Sequence, residues 1–416
     1  ATTNATMVDS DGLLKWRPHN RVTSSGDLTG TSWSAIRATY DGPTETLTQV
    51  GTTVYGILTQ AAASLTVGAR YKYTIRMKAG NTGWGVVAHV MTSAFWVKTW
   101  FDLSSGTVGT VGPNTTATIV NAGDGWWDCS VEAVATVTSA NISAQMATNN
   151  GGVNSVTGDT VLVRQVHAFR SDLGGMVNNP DTSSSYVPTT SAAAVYAPRR
   201  GHHHYNGSAW VNEGILHESE ARTNLLDNSG DLAGSGWSNN SMTVGAVTTG
   251  SPFGTYQTVS PSSTIAGASS RYQIGHPLTG GTTYVGWALV KYSAGNGWFV
   301  IDMYDSGKNS ERCWFDLQNG VVGSKEALII DHGMINYGDG WWLCWASSAS
   351  TNVSGGLSVE VATGDGVLAS NSGDVILFAG SQFEAGSTAS SYIPTTTAAV
   401  TRAAETLTVP AANLPY

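Results

Sequence analysis

The chain has 416 residues, 29 acidic and 20 basic, giving a net charge of −9 and a sequence pI near 5.4. Only 12% of residues are charged and no basic run exceeds Arg199-Arg200. This excludes nucleic acid as a partner, because neutralising phosphates takes a basic stripe. No apolar stretch approaches the roughly 20 residues of a membrane-spanning helix, so membrane insertion is not expected.

In chain order, residues 1–16 form a polar lead-in. Its start, ATTNATMVDSDG, lacks the basic and apolar parts of a signal peptide, and the missing initiator Met points to processing or a fragment. Residues 17–195 form a first unit. There YKYTIRMKA, GWGVVAHVM, WFDL, WWDCSVEAVATV and TVLVRQVHAF read as strands bounded by Gly, Asn, Asp or Ser. Residues 196–217 are a connector, in which Asn206-Gly207 between β-formers predicts a hairpin with a two-residue turn. In the second unit, residues 218–402, TYVGWALVKY, GWFVIDMY, CWFDL, WWLCWASS and DVILFAGSQF take the same slots. Residues 403–416 are a tail.

The two units are copies. NAGDGWWDC (121–129) matches NYGDGWWLC (336–344), and WFDLSSGTVG (100–109) matches WFDLQNGVVG (314–323). AGNTGW (79–84) matches AGNGW (294–298), GDTVLV (158–163) matches GDVILF (373–378), and SSYVPTTSAAAV (184–195) matches SSYIPTTTAAV (390–400). The collinear order implies duplication. Short strands, frequent turn signals, 49 glycines and no helical periodicity predict an all-β chain of two sandwiches of antiparallel sheets.

In GDGWW the Asp-Gly pair makes a turn and the tryptophans begin a strand. Neighbouring strand residues face opposite ways, so one tryptophan of each pair enters the core. Cys129 shares a face with Trp127 and is expected to be a buried thiol. Three cysteines, Cys129, Cys313 and Cys344, without a CxxC, build no disulfide framework. Alternation puts Trp298, Val300, Asp302 and Tyr304 on one face, and pairs Trp100 with Asp102 and Trp314 with Asp316. Flat rings beside polar groups suit sugars, whose C–H faces stack while hydroxyls bond to Asp, Asn or Gln. The carbohydrate-binding candidates are Trp84, Trp100, Asp102, Trp126, Trp298, Asp302, Tyr304, Trp314, Asp316 and Trp341. The alternative is that these rings pack under a loop or at a subunit interface.

The signatures EARTNLL (220–226), GSGWS, WFDLQNGVVG, GDGWWLC and QFEAGSTASSYIPTTTAAVTRAAE (382–405) resemble the jelly-roll modules of tailed-phage virion proteins. These are similar to carbohydrate-binding modules and concanavalin-like sandwiches, and occur in tail fibres, spikes and head decorations. The second unit matches over nearly its whole length. The first departs from the pattern, with NRVTSS in place of RTNLLD and VHAFRSDLGG in place of SQFEAGSTAS. The resemblance implies two tandem jelly-roll domains joined by a hairpin-containing linker. It also implies a virion-surface protein, made in a bacterial cytoplasm and extracellular after lysis. Its partners would be other virion proteins, further copies of itself (a trimer being the candidate state) and host surface polysaccharide. In related modules an Asp of the last core strand often holds structural calcium; Asp159 and Asp374 match that position, the alternative being a turn cap.

No HExxH, GxSxG, GxxxxGK[ST] or GxGxxG is present, and no carboxylate pair is implied, so an enzyme is not expected. GHHHYNG (201–207) could place His202 and His204 on one strand face, where a metal site or a polar surface are the two readings. Besides glycan binding on a particle, the residues leave open a purely structural cement protein and a secreted bacterial carbohydrate-binding protein.

Overall fold

A computed structural model describes residues 5–51, 56–62, 65–92, 95–152, 154–179, 184–191, 195–196, 198–307 and 310–406. Most of the expected tail, 407–416, lies outside them. Among the described residues there are strands and turns and no helix. The chain divides into two compact units, Trp16–Ala197 and Thr2–Lys15 with Pro198–Tyr416. Each is a jelly-roll sandwich of antiparallel sheets around its own apolar core.

In the first unit, one sheet runs in the order Thr107–Val108, Val97–Asp102, Trp84–His89, Ala140–Ala147, Ile57–Ala62, Ser34–Ile36. The facing sheet runs Thr116–Gly123, Trp126–Val134, Arg70–Ala79, Thr160–Arg170, Thr46–Gln49, Ala38–Asp41. Alternation decides what is inside: along Arg70–Ala79, Tyr71, Tyr73, Ile75 and Met77 point inward and join a core that includes Phe101, Ile142 and Ala144. The second unit repeats the plan. Its Trp298 sheet runs Ser238–Asn240, Ser269–Pro277, Ser354–Ala362, Trp298–Asp305, Arg312–Asp316, Val321–Lys325. Its Trp341 sheet runs Met242–Val244, Gly254–Pro261, Val375–Ala385, Thr283–Ala294, Trp341–Ala349, Ile329–Asn336.

The repeated GDGWW has a backbone explanation. Gly123, Asp124 and Gly125 all have positive φ (86°, 53° and 78°), as do Gly338, Asp339 and Gly340 (72°, 51° and 75°). Only Gly, and Asp or Asn at modest cost, tolerates this region. Asn121 Oδ1 and Asn336 Oδ1 accept the N–H of Gly123 and Gly338 and set the turn. The second tryptophan of each pair, Trp127 or Trp342, then packs against the core, and Trp127 donates its indole N–H to Leu103 O at 2.9 Å. Cys129, Cys313 and Cys344 are all buried and free of disulfides, and burial raises each thiol's pKa well above its ordinary value.

The connector differs from the expectation in two respects. Strands Arg199–Tyr205 and Trp210–Leu216 pair from Arg199↔Leu216 to Tyr205↔Trp210, which leaves a four-residue loop, 206–209, in place of a two-residue turn. The Asn206 side chain is the cause: its Oδ1 accepts the N–H groups of Ser208 and Ala209 at 3.0 and 2.9 Å. The hairpin is also part of the second unit. Arg199 is buried and pairs with Glu218 at 2.6 Å and Glu405 at 2.5 Å. Gly12 of the lead-in lies so close to Trp210 that a Cβ would sit 2.2 Å from its ring.

Candidate functional site

The face of each tryptophan-bearing sheet that points away from the core carries the same aromatic arrangement. In the first unit it joins Trp84, Val86, Trp100 and Ala147; in the second it joins Trp298, Val300, Trp314, Ala362 and Leu368. Trp84 and Trp298 are half-buried and stand on Gly109 and Gly323, where an added Cβ would lie 2.7 Å from either ring. Trp100 and Trp314 lie one strand over and are only 8% and 4% exposed. Their indole N–H groups bond to backbone carbonyls of overlying segments, Trp100 to Gly152 at 2.6 Å and Trp314 to Val367 at 2.9 Å. So the alternative of packing under a loop describes these two rings.

Trp126 and Trp341 sit on the opposite sheets. The Arg164 guanidinium lies 4.0 Å from the Trp126 ring centroid, and Tyr256 meets Trp341 edge-on at 6.1 Å. Both tryptophans are nearly fully covered. Asp102 and Asp316 cap their own turns: Asp102 Oδ1 accepts the N–H of Ser104 and Ser105, and Asp316 Oδ1 that of Gln318 and Asn319. The candidate residues therefore fall on two faces of each unit, and Trp84, Trp298 and Tyr304 keep surface in reach of solvent.

In the second unit the outward face gathers polar groups beside these rings. Strand register places Tyr272, Ser358 and Asp302 in one cross-strand row, and Ile274, Gly356 and Tyr304 in the next. Tyr272 and Tyr304 are half-buried. Arg312 bridges Asp302 at 3.2 Å and Glu360 at 3.1 Å, and both carboxylates are 3% exposed. Glu311 N–H and Ser358 Oγ–H complete their hydrogen bonds. Burial, reinforced by Asp302, pushes Glu360 up to about 7, and burial raises Asp302 against the pull of Arg312. The first unit has Ala88, Gln145 and Lys98 at the corresponding register positions, so the two copies have diverged here. Sequence reasoning missed Tyr272, Arg312 and Glu360. Glu360 is the lone acid in the strand SGGLSVEVA, and setting that strand against ANISAQMA would have pointed to it.

The calcium expectation fails on the donor set. Asp374 Oδ1 accepts the backbone and side-chain N–H groups of Asn296 at 2.8 and 2.9 Å, and Oδ2 accepts Asn371 N–H at 3.3 Å. Asp159 Oδ2 accepts Val156 N–H at 2.7 Å. N–H donors occupy both oxygens of Asp374 and one oxygen of Asp159, where calcium would need six to eight oxygen ligands. As arranged, these residues do not fit the ion. His204 Nδ1 lies 3.0 Å from Glu213 and His202 Nε2 lies 4.0 Å from it. Among the described residues no three His, Cys, Asp or Glu side chains gather as a metal site.

No family model and no curated protein matches the chain. Among solved structures, it is similar to the N-terminal CBM22-1-CBM22-2 tandem domain of Paenibacillus barcinonensis Xyn10C. Identity is 11%, coverage 87% of this chain and 95% of that one, and the TM-score 0.28. A mutant of Bacillus subtilis oxalate decarboxylase OxdC (10% identity, 96% and 80% coverage) has a TM-score of 0.16. Pumpkin seed globulin (8% identity, 92% and 86% coverage) has a TM-score of 0.15. Likenesses this distant carry no functional argument.

Proposed function

We propose that this is a non-catalytic glycan-binding protein displayed on the surface of a tailed-phage or phage-like particle, with the outward face of the Trp298 sheet as its main sugar-binding surface. One observation carries the sugar reading: Trp298, Tyr272 and Tyr304 are partly open on the sheet face that also holds Asp302, Arg312 and Glu360. Rings stack on sugar C–H faces, and the buried cluster in which Arg312 holds Asp302 and Glu360 lies on the same face beside them. The particle location rests on the resemblance of EARTNLL, GDGWWLC and the 382–405 stretch to virion jelly rolls. Weak single sites gain from repetition on a particle.

The test is a glycan and polysaccharide binding screen of the full chain beside Trp298→Ala and Tyr272→Ala. Specific binding that falls at least about tenfold in both variants supports the reading, tenfold corresponding to about 1.4 kcal/mol. Binding that both variants retain removes this face as the site.

A second observation favours self-association. The edge strands Val321–Lys325 and Ile329–Asn336, with the turn between them, expose Val321, Val322, Leu328, Ile330 and Ile335, each more than 40% open. An open, apolar strand edge is a natural pairing surface for another copy. Sedimentation of the wild type against Ile330→Lys distinguishes an oligomer built on this edge from a monomer.

A further inference from the structure

The lead-in and the hairpin both meet the GDG turn of the second unit, and a cleft of about 360 Å³ opens where they join. The lead-in supplies Asp11, Gly12 and Leu13, the hairpin Tyr205 and Trp210, and the turn Tyr337, Gly338 and Asp339; residues 250–252 and Trp341 complete the lining. Trp210 is the centre of the arrangement. It meets Tyr205 at 5.5 Å and Tyr337 edge-on at 5.9 Å. Two glycines let the backbone approach these rings: a Cβ on Gly12 would lie 2.2 Å from the Trp210 ring, and one on Gly338 would lie 3.5 Å from the Tyr205 ring. Leu14 N–H donates to Pro252 O at 2.7 Å and holds the lead-in in place.

The polar side chains of the cleft are left without protein partners. Among the described residues, neither the Trp210 indole N–H, the Tyr205 hydroxyl nor the Asp11 and Asp339 carboxylates have a hydrogen-bond or ion-pair partner. Both carboxylates are exposed and Tyr205 and Trp210 are half-buried, so all four groups stay open to solvent. The cation of the lead-in, Lys15, is held by Asp9 at 2.5 Å. The first unit has the same turn without these surroundings: among the described residues nothing lies within 4 Å of a Cβ placed on Gly123, and Asp124 O accepts Lys78 Nζ at 2.7 Å. The lead-in and the hairpin thus add the cleft to one of the two copies.

The ligand class follows from the mixed lining. Leu13, Pro252 and the rings are apolar, and the open polar groups include both a donor and acceptors. No Lys, Arg or His lines the cleft, so an anionic ligand would meet two carboxylates and no compensating charge. A cation would need rings set around a shared centre, whereas Tyr205 and Tyr337 pack on Trp210 itself, and exposed carboxylates alone hold a cation weakly. A neutral sugar ring carries what the lining matches: an apolar C–H face, hydroxyls that donate to carboxylates, and oxygens that accept from an indole N–H. The volume is at the lower end of small-molecule sites, roughly 300–1,000 Å³, which suits one sugar residue. We propose that this cleft binds a neutral hexose residue, with its C–H face against Trp210 and its hydroxyls donating to Asp11 and Asp339. This rests on the glycan-binding reading and adds to it a second site and the charge class of its sugar.

The test uses the ¹⁵N-labelled full chain and the indole N–H resonance of Trp210, assigned by its loss in Trp210→Phe. The probes are the methyl glycosides of glucose, galactose and mannose. Methyl glucuronoside, which adds a carboxylate, and tetramethylammonium are the controls. The expected result is a saturable shift of that resonance with at least one neutral glycoside and none with either control. The double variant Asp11→Asn/Asp339→Asn keeps both side-chain shapes, and Asn, like Asp, tolerates the positive φ at position 339. The fold should therefore stand while affinity falls about tenfold. Neutral-glycoside binding that this variant leaves intact, an equal shift with the glucuronoside, or a shift with tetramethylammonium alone overturns the cleft site. If Trp298→Ala and Tyr272→Ala abolish sugar binding and the Trp210 resonance never moves, the outward face stands and the cleft falls. The reverse pattern leaves the cleft and removes the outward face. If no sugar binds in either experiment, both fall.

Discussion

Arg312 holds two buried carboxylates, and its removal should be the most costly single change on the outward face. Arg312→Ala leaves Asp302 and Glu360 without their cation, and a buried charge so stranded costs about 3–5 kcal/mol. Denaturant unfolding should show that loss in the second unit. Glu360→Gln should be mild by comparison, because Gln145 already fills the matching position of the first unit. The same variant isolates a pH effect. Glu360 has a folded pKa of about 7 against an ordinary 4.5, so its contribution is fully present below 4.5 and is lost as pH rises through 7. Glu360→Gln should therefore stabilise more at pH 8 than at pH 5 relative to wild type. A difference of the opposite sign would contradict the burial argument. None of this was legible residue by residue: alternation put Asp302 on the outward face, but only register brings Arg312 and Glu360 to it.

At the scale of elements, the turns carry the clearest sequence information. GDG spells three consecutive left-handed residues, and it recurs because both tryptophan strands start from the same turn. Gly340→Ala should cost about 1–2 kcal/mol, since an L side chain pays that for positive φ, and equilibrium unfolding measures it. The aromatic strands were also legible. ANISAQMA and SGGLSVEVA were harder, because small and polar residues dominate them. Yet each lies inside its sheet with a partner strand on both sides, and those partners come from distant stretches of the chain. The hairpin shows the limit of local signals. Asn206-Gly207 marked the turn, but the Asn206 side chain bonding to Ser208 and Ala209 set its length.

For the whole molecule, each unit has its own core, so calorimetry should resolve two transitions, and Arg312→Ala marks the second unit's. Acid should act strongly on the first. Burial drives His19 down to about 3 and His89 and His167 down to about 4, from 6.5 unfolded. His19 donates from Nδ1 to Arg17 O and accepts Arg170 N–H on Nε2, so it is neutral in the fold. The folded state thus binds fewer protons. The stability is full above 6.5 and falls as pH drops toward 4, by up to about 1.4 kcal/mol per pH unit for each histidine. The first unit's melting temperature should drop between pH 7 and 4.5, and an unchanged value would contradict neutral burial. Deleting the lead-in through Lys15 should instead lower the second unit's transition, because Met7, Val8 and Leu14 are at most 3% exposed and belong to that unit. Burying each such side chain contributes about 1.5–3 kcal/mol.

By itself the sequence determined the all-β class, the duplication, the core-facing tryptophan of each pair and the buried thiols. These follow from short-range rules: strand period, turn chemistry and the match of one half to the other. Tertiary structure decided which aromatic rings stay open, that Asp102, Asp316 and Asp374 cap turns, and that the hairpin and lead-in join the second unit. It also brought Asp11, Trp210 and Asp339 around one cleft. Those outcomes depend on which segments cover a sheet face, and long-range packing, unlike strand period, leaves no local signature in the chain.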